Sequence, residues 1–344
     1  RLTDVTGVQT CALPIFFVNL TSILYLGALS LKTVFGIKLG YAITGLALFS
    51  LLLTVGGGLR AIANTDIIQV FFLVLGGLTT TYLALDHVSD GNGILKGFSL
   101  MINEAPEKFH MILERSDPNF RYMPGIRSIL GGIWIAGIYY FGANQYIIQK
   151  ALGAKSLREA KRGMLFAGYL KLIIPVLVVI PGIAAFVLNA DIAKPDEAYP
   201  WLLNRFVPSG IKGFVFAALI AAIVSSLAAI INSASTIFSI DIYKVHFNRD
   251  VSEESLVRTG KICSLVIVIF AALIASMLKN IEQVFQFIQE YTGLVSPGIT
   301  AMFVLGLFWK KTTSQAAWIA VLLTLPVPVR SEERRVGKEC RSRW

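Results

Sequence analysis

From Gly213 to Ile240 the chain reads GFVFAALIAAIVSSLAAIINSASTIFSI, without one charged residue. A bilayer core takes about 20 apolar residues of helix. In hydrocarbon an unpaired peptide group is so costly that only helices and closed barrels span it. Eight more stretches share this character, giving nine candidate spans at 16–35, 40–58, 66–86, 124–148, 163–189, 212–240, 261–279, 284–309 and 315–329. Most are longer and more uniformly apolar than a soluble core helix. The expected fold is an all-α polytopic membrane protein with about nine transmembrane spans. Hydrophobic residues make up 55% of the chain and charged residues only 15%, which argues against a large soluble helical domain. The first span lacks the basic flank and small-residue cleavage site of a signal peptide.

The two ends read differently. VTGVQTCALPI (5–15) and RSEERRVGKECRSRW (330–344) both back-translate in frame to sequencing-library adapters. The expected organisation is therefore an artefact at 1–15, a transmembrane domain at 16–329 and a second artefact at 330–344. Cys11 and Cys340 fall in those ends, leaving Cys263 alone, so no disulfide or metal cluster is expected. Without the basic tail the net charge drops from +10 to +7.

Basic residues set the orientation. The loop QKALGAKSLREAKR (149–162) carries Lys150, Lys155, Arg158, Lys161 and Arg162 against Glu159, and is expected to be cytoplasmic. Alternation then puts Arg60, 241–260 and Lys310-Lys311 inside, with 87–123 and 190–211 outside. Residues 94–114 read as a surface amphipathic helix. Several spans are punctuated by Gly or Pro, at Gly56-Gly57-Gly58, Gly76-Gly77, Pro175, Pro181-Gly182, and Gly293 with Pro297-Gly298. Breaks of this kind are tolerated where freed backbone faces protein or a wet cavity, and they mark transporter sites.

Chemistry is scarce. No GxxxxGK[ST] phosphate loop and no HExxH is present, and the three histidines are scattered. The chain is expected to move something rather than react with it, so no enzyme activity is expected. Ala222, Ser225, Ser226 and Ala229 share a face at helical spacing. Hydroxyls and freed carbonyls suit a hard monovalent cation, but they equally suit tight packing with each hydroxyl bonded back to its own helix. Lys171 lies about eight residues, or ~12 Å, inside an apolar span, where a charge marks a functional site by default. Asp66 opens the third span and fits either a helix cap or an ion role. Phe285, Gln286, Gln289, Glu290 and Tyr291 precede a Gly/Pro pair. Amides there could pair with a hydroxylated solute and aromatics could stack on it. Tyr139, Tyr140, Asn144, Gln145 and Tyr146 could form a hydrogen-bonded gate.

Together FVNLTSILYLG, TDIIQVFFLVLGG, NQYIIQ, LKLIIPVLVVIPGIAA, FAALIAAIVSSLAAIINSASTIFSIDIYK, FQFIQEYTGLVSPG and GLFWKKTTS resemble the sodium:solute symporter family, in particular its bacterial sodium/galactose branch. The resemblance covers 16–325. It implies part of a five-plus-five inverted-repeat fold in the bacterial inner membrane, with sodium and solute near the bilayer midplane. It implies sodium contacts at Ala222, Ser225, Ser226 and Asp66, and solute contacts or gating at Tyr140, Lys171, Gln289 and Phe285. Gly137 stands where the galactose-binding pattern has Asn, which puts galactose itself in question. The implied activity is sodium-coupled symport of a galactose- or glucose-like sugar by alternating access. Its partners would be the solute, Na⁺ as coupling ion and the lipid bilayer, with no cofactor and no nucleic acid. Two alternatives stand beside it: a family symporter for inositol, an amino acid or a carboxylate, and a membrane sensor built on a transporter-like domain. The family pattern also implies that the first core helices are missing from this chain, which would leave each site half built and unable to transport.

Overall fold

Charged and capping residues start the helices, and apolar stretches extend them. Ser156 accepts a hydrogen bond from the Glu159 amide at 3.3 Å, the S-x-x-E pattern of a capping box. Ser252 caps the Ser255 amide at 3.3 Å with Glu253 and Glu254 in the first turn, where negative charge suits the helix dipole. In the computed structural model the described residues are 13–320, except 111, 114–125, 127–128, 282, 310, 314 and 317–318. The described residues contain helices and no strand. They form α1 (Leu13–Phe35), α2 (Leu39–Val88), α3 (Ile94–Glu104), α4 (Ile129–Ala143), α5 (Gln145–Leu152), α6 (Leu157–Val187), α7 (Ala198–Phe206), α8 (Ser209–Phe247), α9 (Glu253–Asn280) and α10 (Val284–Phe308).

Among the described residues, seven helical segments are long and apolar enough to cross a membrane: Ile15–Phe35, Leu39–Leu59, Ile62–Val88, Leu157–Val187, Ser209–Phe247, Glu253–Asn280 and Val284–Phe308. They match seven of the nine sequence spans. The fourth span corresponds to the shorter α4 and α5, and most of the ninth lies outside the described residues. So do 1–12 and 330–344, which hold nearly all of the two adapter-like ends.

The central pair is α1 and α8, which bury 61% and 56% of their most apolar stretches, against 28–33% for the other five. A helix apolar on every side belongs inside a bundle, and α8 buries Val224, Leu227, Ala228, Ala229, Ile230 and Ile231 in succession. The outer helices show Leu48, Phe49, Leu52, Ile67, Ile68, Phe71, Phe166 and Leu172 on the surface. Such a surface suits lipid tails and would be a liability in water.

The punctuating residues play three different parts. Gly58 bends α2 between two spans with φ 57° and ψ −169°, a conformation open to glycine and strained for other residues. Gly76 and Gly77 do not break the helix. They are close-approach positions, where a Cβ would sit 3.0 Å from Val215 and 3.0 Å from Leu177 side-chain carbons. At Pro175 the helix widens into a π turn over Pro175–Val179. Thr81 meets the Val176 carbonyl there, donating from Oγ1 at 2.8 Å, as hydroxyls do for freed carbonyls in membrane helices. Likewise α10 runs unbroken through Gly293 and Pro297.

On the expected outer side, the turn Ser89–Gly93 carries positive φ at Asp90, Gly91 and Gly93. The amphipathic helix is shorter than predicted. α3 stops at Glu104, because the residue before Pro106 is pushed out of the helical region. It docks Gly97 and Met101, one turn apart, onto the outer end of α2.

Candidate functional site

Asp66 lies within the first turns of the straight segment Ile62–Val88 of α2, beyond the bend at Gly58. It does not act as a helix cap. One carboxylate oxygen, Oδ1, accepts from Ser225 Oγ, and the other, Oδ2, from Lys150 Nζ. Ser225 is buried and spends its proton on this carboxylate rather than on its own helix, which separates it from a packing serine. Ala222 is half-buried one turn earlier. Ser226 points away, exposed on α8, with no hydrogen-bond partner among the described residues. The structure thus joins Asp66 and Ser225 from helices 159 positions apart and leaves Ser226 on an open face.

A second set of bonds runs beside the first. Gln149 Nε2 donates to the Ala229 carbonyl at 3.1 Å, and its Oε1 accepts from Asn232 Nδ2 at 3.2 Å. Thr54 Oγ1 reaches the Ala228 carbonyl at 3.4 Å. The helix that bears Ser225 is therefore held by polar contacts from α2 and α5 within one turn.

The solute candidates assemble in part. Tyr146 OH donates to Tyr140 OH at 3.0 Å. Lys171 Nζ stands 5.2 Å from the Tyr140 ring centroid and 4.4 Å from that of Phe141, within cation–π range. So α4 and α6 bring Tyr140 and Lys171 together. Gly137 lies one turn before Tyr140, and a Cβ built there meets nothing within 4 Å. Phe285 and Gln289 occupy one exposed face of α10, while its Val295, Ser296 and Ile299 are buried. Gln286 bonds Glu290 at 3.1 Å instead of facing that group. Among the described residues, no hydrogen bond, ring contact or cation–π contact joins Phe285 or Gln289 to Tyr140 or Lys171.

The start of α10 is fixed from outside the membrane segments. Asp196 Oδ2 accepts the Val284 amide at 2.7 Å and the carboxylate also bonds the Phe285 amide. Lys194 Nζ donates to the Lys279 and Ile281 carbonyls at 2.6 and 2.7 Å. Burial, with a smaller push from Glu197, raises the Asp196 pKa from its ordinary value, and the two amides and Lys194 offset part of that. The loop 190–197 thereby clasps the α9–α10 junction that carries Phe285. Asp196→Ala will lower stability by about 1 kcal/mol, as loss of a helix-capping carboxylate does. Thermal unfolding in detergent checks this, with exposed Asp191→Ala as the control that leaves the melting point unmoved.

Two contributors escaped the sequence reading. Lys150 stood out only as one of five cytoplasmic charges, and Gln149 not at all. The available signal was Asp66 itself, since an acidic residue at membrane depth needs a cationic or donor partner.

The family model of the sodium:solute symporter family matches residues 8–324. The chain belongs to that family. It is 53% identical to a sodium/glucose cotransporter of Vibrio parahaemolyticus, over 90% of this chain and 60% of that protein. It is 32% identical to the uncharacterized symporter YidK of Escherichia coli, over 92% of this chain and 55% of that one. A human sodium/myo-inositol cotransporter 2 is 30% identical, over 88% of this chain and 48% of its own length. Among solved structures, a substrate-bound outward-open Na⁺-coupled sialic acid symporter superposes with a TM-score of 0.76 at 25% identity, over 92% of this chain and 66% of that one. The chain spans about 60% or less of the curated relatives it matches. These relatives are symporters rather than enzymes, and with seven membrane-length helices the chain is a multi-pass protein of the inner membrane.

Proposed function

We propose that the whole protein couples the entry of Na⁺ to uptake of a hydroxylated solute, a galactose- or glucose-like sugar, by alternating access. The observation that carries this reading is the Asp66–Ser225 contact, which sets a carboxylate and a hydroxyl together inside the bundle. The sodium/glucose relative at 53% identity supports sugar as the solute. In this reading Ala222, Ser225, Ser226 and Asp66 serve sodium, while Tyr140, Lys171, Phe285 and Gln289 serve the solute. Sodium favours the conformation that closes around the solute, and each ligand tightens the other by the same factor. An inside-negative potential adds about 2.3 kcal/mol per charge per 100 mV.

The chain spans about 60% of the sodium/glucose relative, so the reading is tested on the protein at its relatives' full length. Ser226, Phe285 and Gln289 are exposed and accessible to an ion or a solute. Uptake of labelled glucose and galactose into proteoliposomes is the test. The protein at its relatives' full length accumulates sugar with Na⁺ outside and not with choline, while the 344 residues alone do not. Equal uptake in Na⁺ and choline would sink the symport reading.

Gly137 favours a second solute class, since the open space beside it lets a solute approach the α4 backbone. Inositol is the leading member, from the human relative, and a carboxylate facing Lys171 is another. Gly137→Asn will fold with a stability change within about 0.5 kcal/mol, because its side chain enters empty space. In competition uptake it will shift preference towards galactose. An unshifted ranking of galactose, glucose and inositol would show that residue 137 does not set the solute.

A further inference from the structure

One short helix touches both Tyr140 and the Asp66–Ser225 pair's carboxylate. α5 carries Tyr146, bonded to Tyr140; Gln149, bonded to Ala229 and Asn232; and Lys150, bonded to Asp66. Lys150 occupies the one Asp66 oxygen that Ser225 leaves open. An ammonium and a sodium ion carry the same charge and repel each other at this spacing, so the carboxylate holds either one far better than both. The pair is also reachable. The Lys150 and Asp66 side chains are 35% and 21% exposed, so ions can enter and the ammonium can leave. The lysine stem is flexible and its head readily hydrated, unlike a guanidinium locked in a fork.

We propose that Lys150 is a built-in cation that competes with sodium for Asp66, holding the carboxylate when sodium is absent and swinging away when sodium binds. The inference rests on the sodium role of Asp66 given above and adds an occupant for the site's sodium-free state. It also gives sodium a mechanical consequence, because the displaced residue belongs to the helix that braces Tyr140.

Binding of ²²Na⁺ to the purified protein at its relatives' full length, in lipid nanodiscs, tests this without requiring transport. Lys150→Met keeps the length of the stem and removes the charge, and it will tighten sodium binding about five- to tenfold, the size of a partly exposed charge pair. Lys150→Arg retains the competitor and will bind no more tightly than the unsubstituted chain. Asp66→Asn added to Lys150→Met will cancel the gain. Sodium binding that appears only in Lys150→Met also supports the proposal, since the competitor then masked the site. Equal or weaker binding in Lys150→Met overturns it, as does no binding in any form, because the ammonium would then be only a structural partner. Failure of sodium-driven uptake in the full-length protein is a separate result and bears on the symport reading alone.

Discussion

Asp66→Asn will reduce sodium-driven uptake by the full-length protein about 30- to 100-fold at limiting sodium, the loss expected when a charge-assisted contact becomes a neutral one. Asparagine keeps the shape and can still accept from Ser225 Oγ, so the bundle remains assembled. What disappears is the negative charge that holds one cation, whether Lys150 or sodium. The half-saturating sodium concentration should rise, while binding of solute at saturating sodium changes little. The companion Ser225→Ala removes a neutral ligand and should cost less, about fivefold, the scale of one ordinary hydrogen bond. If Asp66→Asn left the sodium dependence of uptake where it was, Asp66 would have no part in coupling, and its contacts would serve only to hold α2, α5 and α8 together.

Gly97→Ala will destabilise the chain by about 1–3 kcal/mol, the range of overpacking in a tight core. On an open helix the same change stabilises by nearly 1 kcal/mol, so the sign itself is diagnostic. A Cβ on Gly97 would run into the Leu85 carbonyl oxygen and lie 2.8 Å from the carbonyl carbon. Backbone cannot give way as a side-chain tip can. α3 must lift from α2, and Met101 and Ala105, both fully buried, would be exposed with it. Gly168→Ala on α6 is the matched control, since its Cβ meets nothing within 4 Å. Thermal unfolding of the two variants in one detergent should move the melting point in opposite directions. Parallel shifts would mean that the α3–α2 contact is looser than these positions imply.

The spans were legible because the membrane leaves so few choices. Hydrocarbon demands helices, and apolar length then shows roughly where they lie; the caps at Ser156 and Ser252 start two of them several residues before the expected spans at 163–189 and 261–279. The punctuation was less legible. Gly58 and Gly76-Gly77 look alike in the sequence, yet one bends the chain and the other two admit Val215 and Leu177 against the backbone. Only a neighbouring helix distinguishes a glycine that turns from a glycine that yields space. Pro297 likewise reads as a break in the sequence, yet α10 continues through it from Val284 to Phe308.

At the candidate site the sequence by itself determined the inventory: a hydroxyl pair on the most apolar helix, an acid at the mouth of another, a lysine inside a third and tyrosines on a fourth. Each stands out because a polar group in hydrocarbon is costly and must have a partner. The partners themselves came from the tertiary structure alone. It decided that Ser225 faces Asp66 while Ser226 faces outward, that Tyr140 meets Lys171, and that Lys150, from the basic loop 149–162, reaches in to the carboxylate. Helical periodicity fixes which residues share a face. The crossing of α2, α5 and α8 fixes what each face meets, and that depends on contacts between residues up to 159 positions apart.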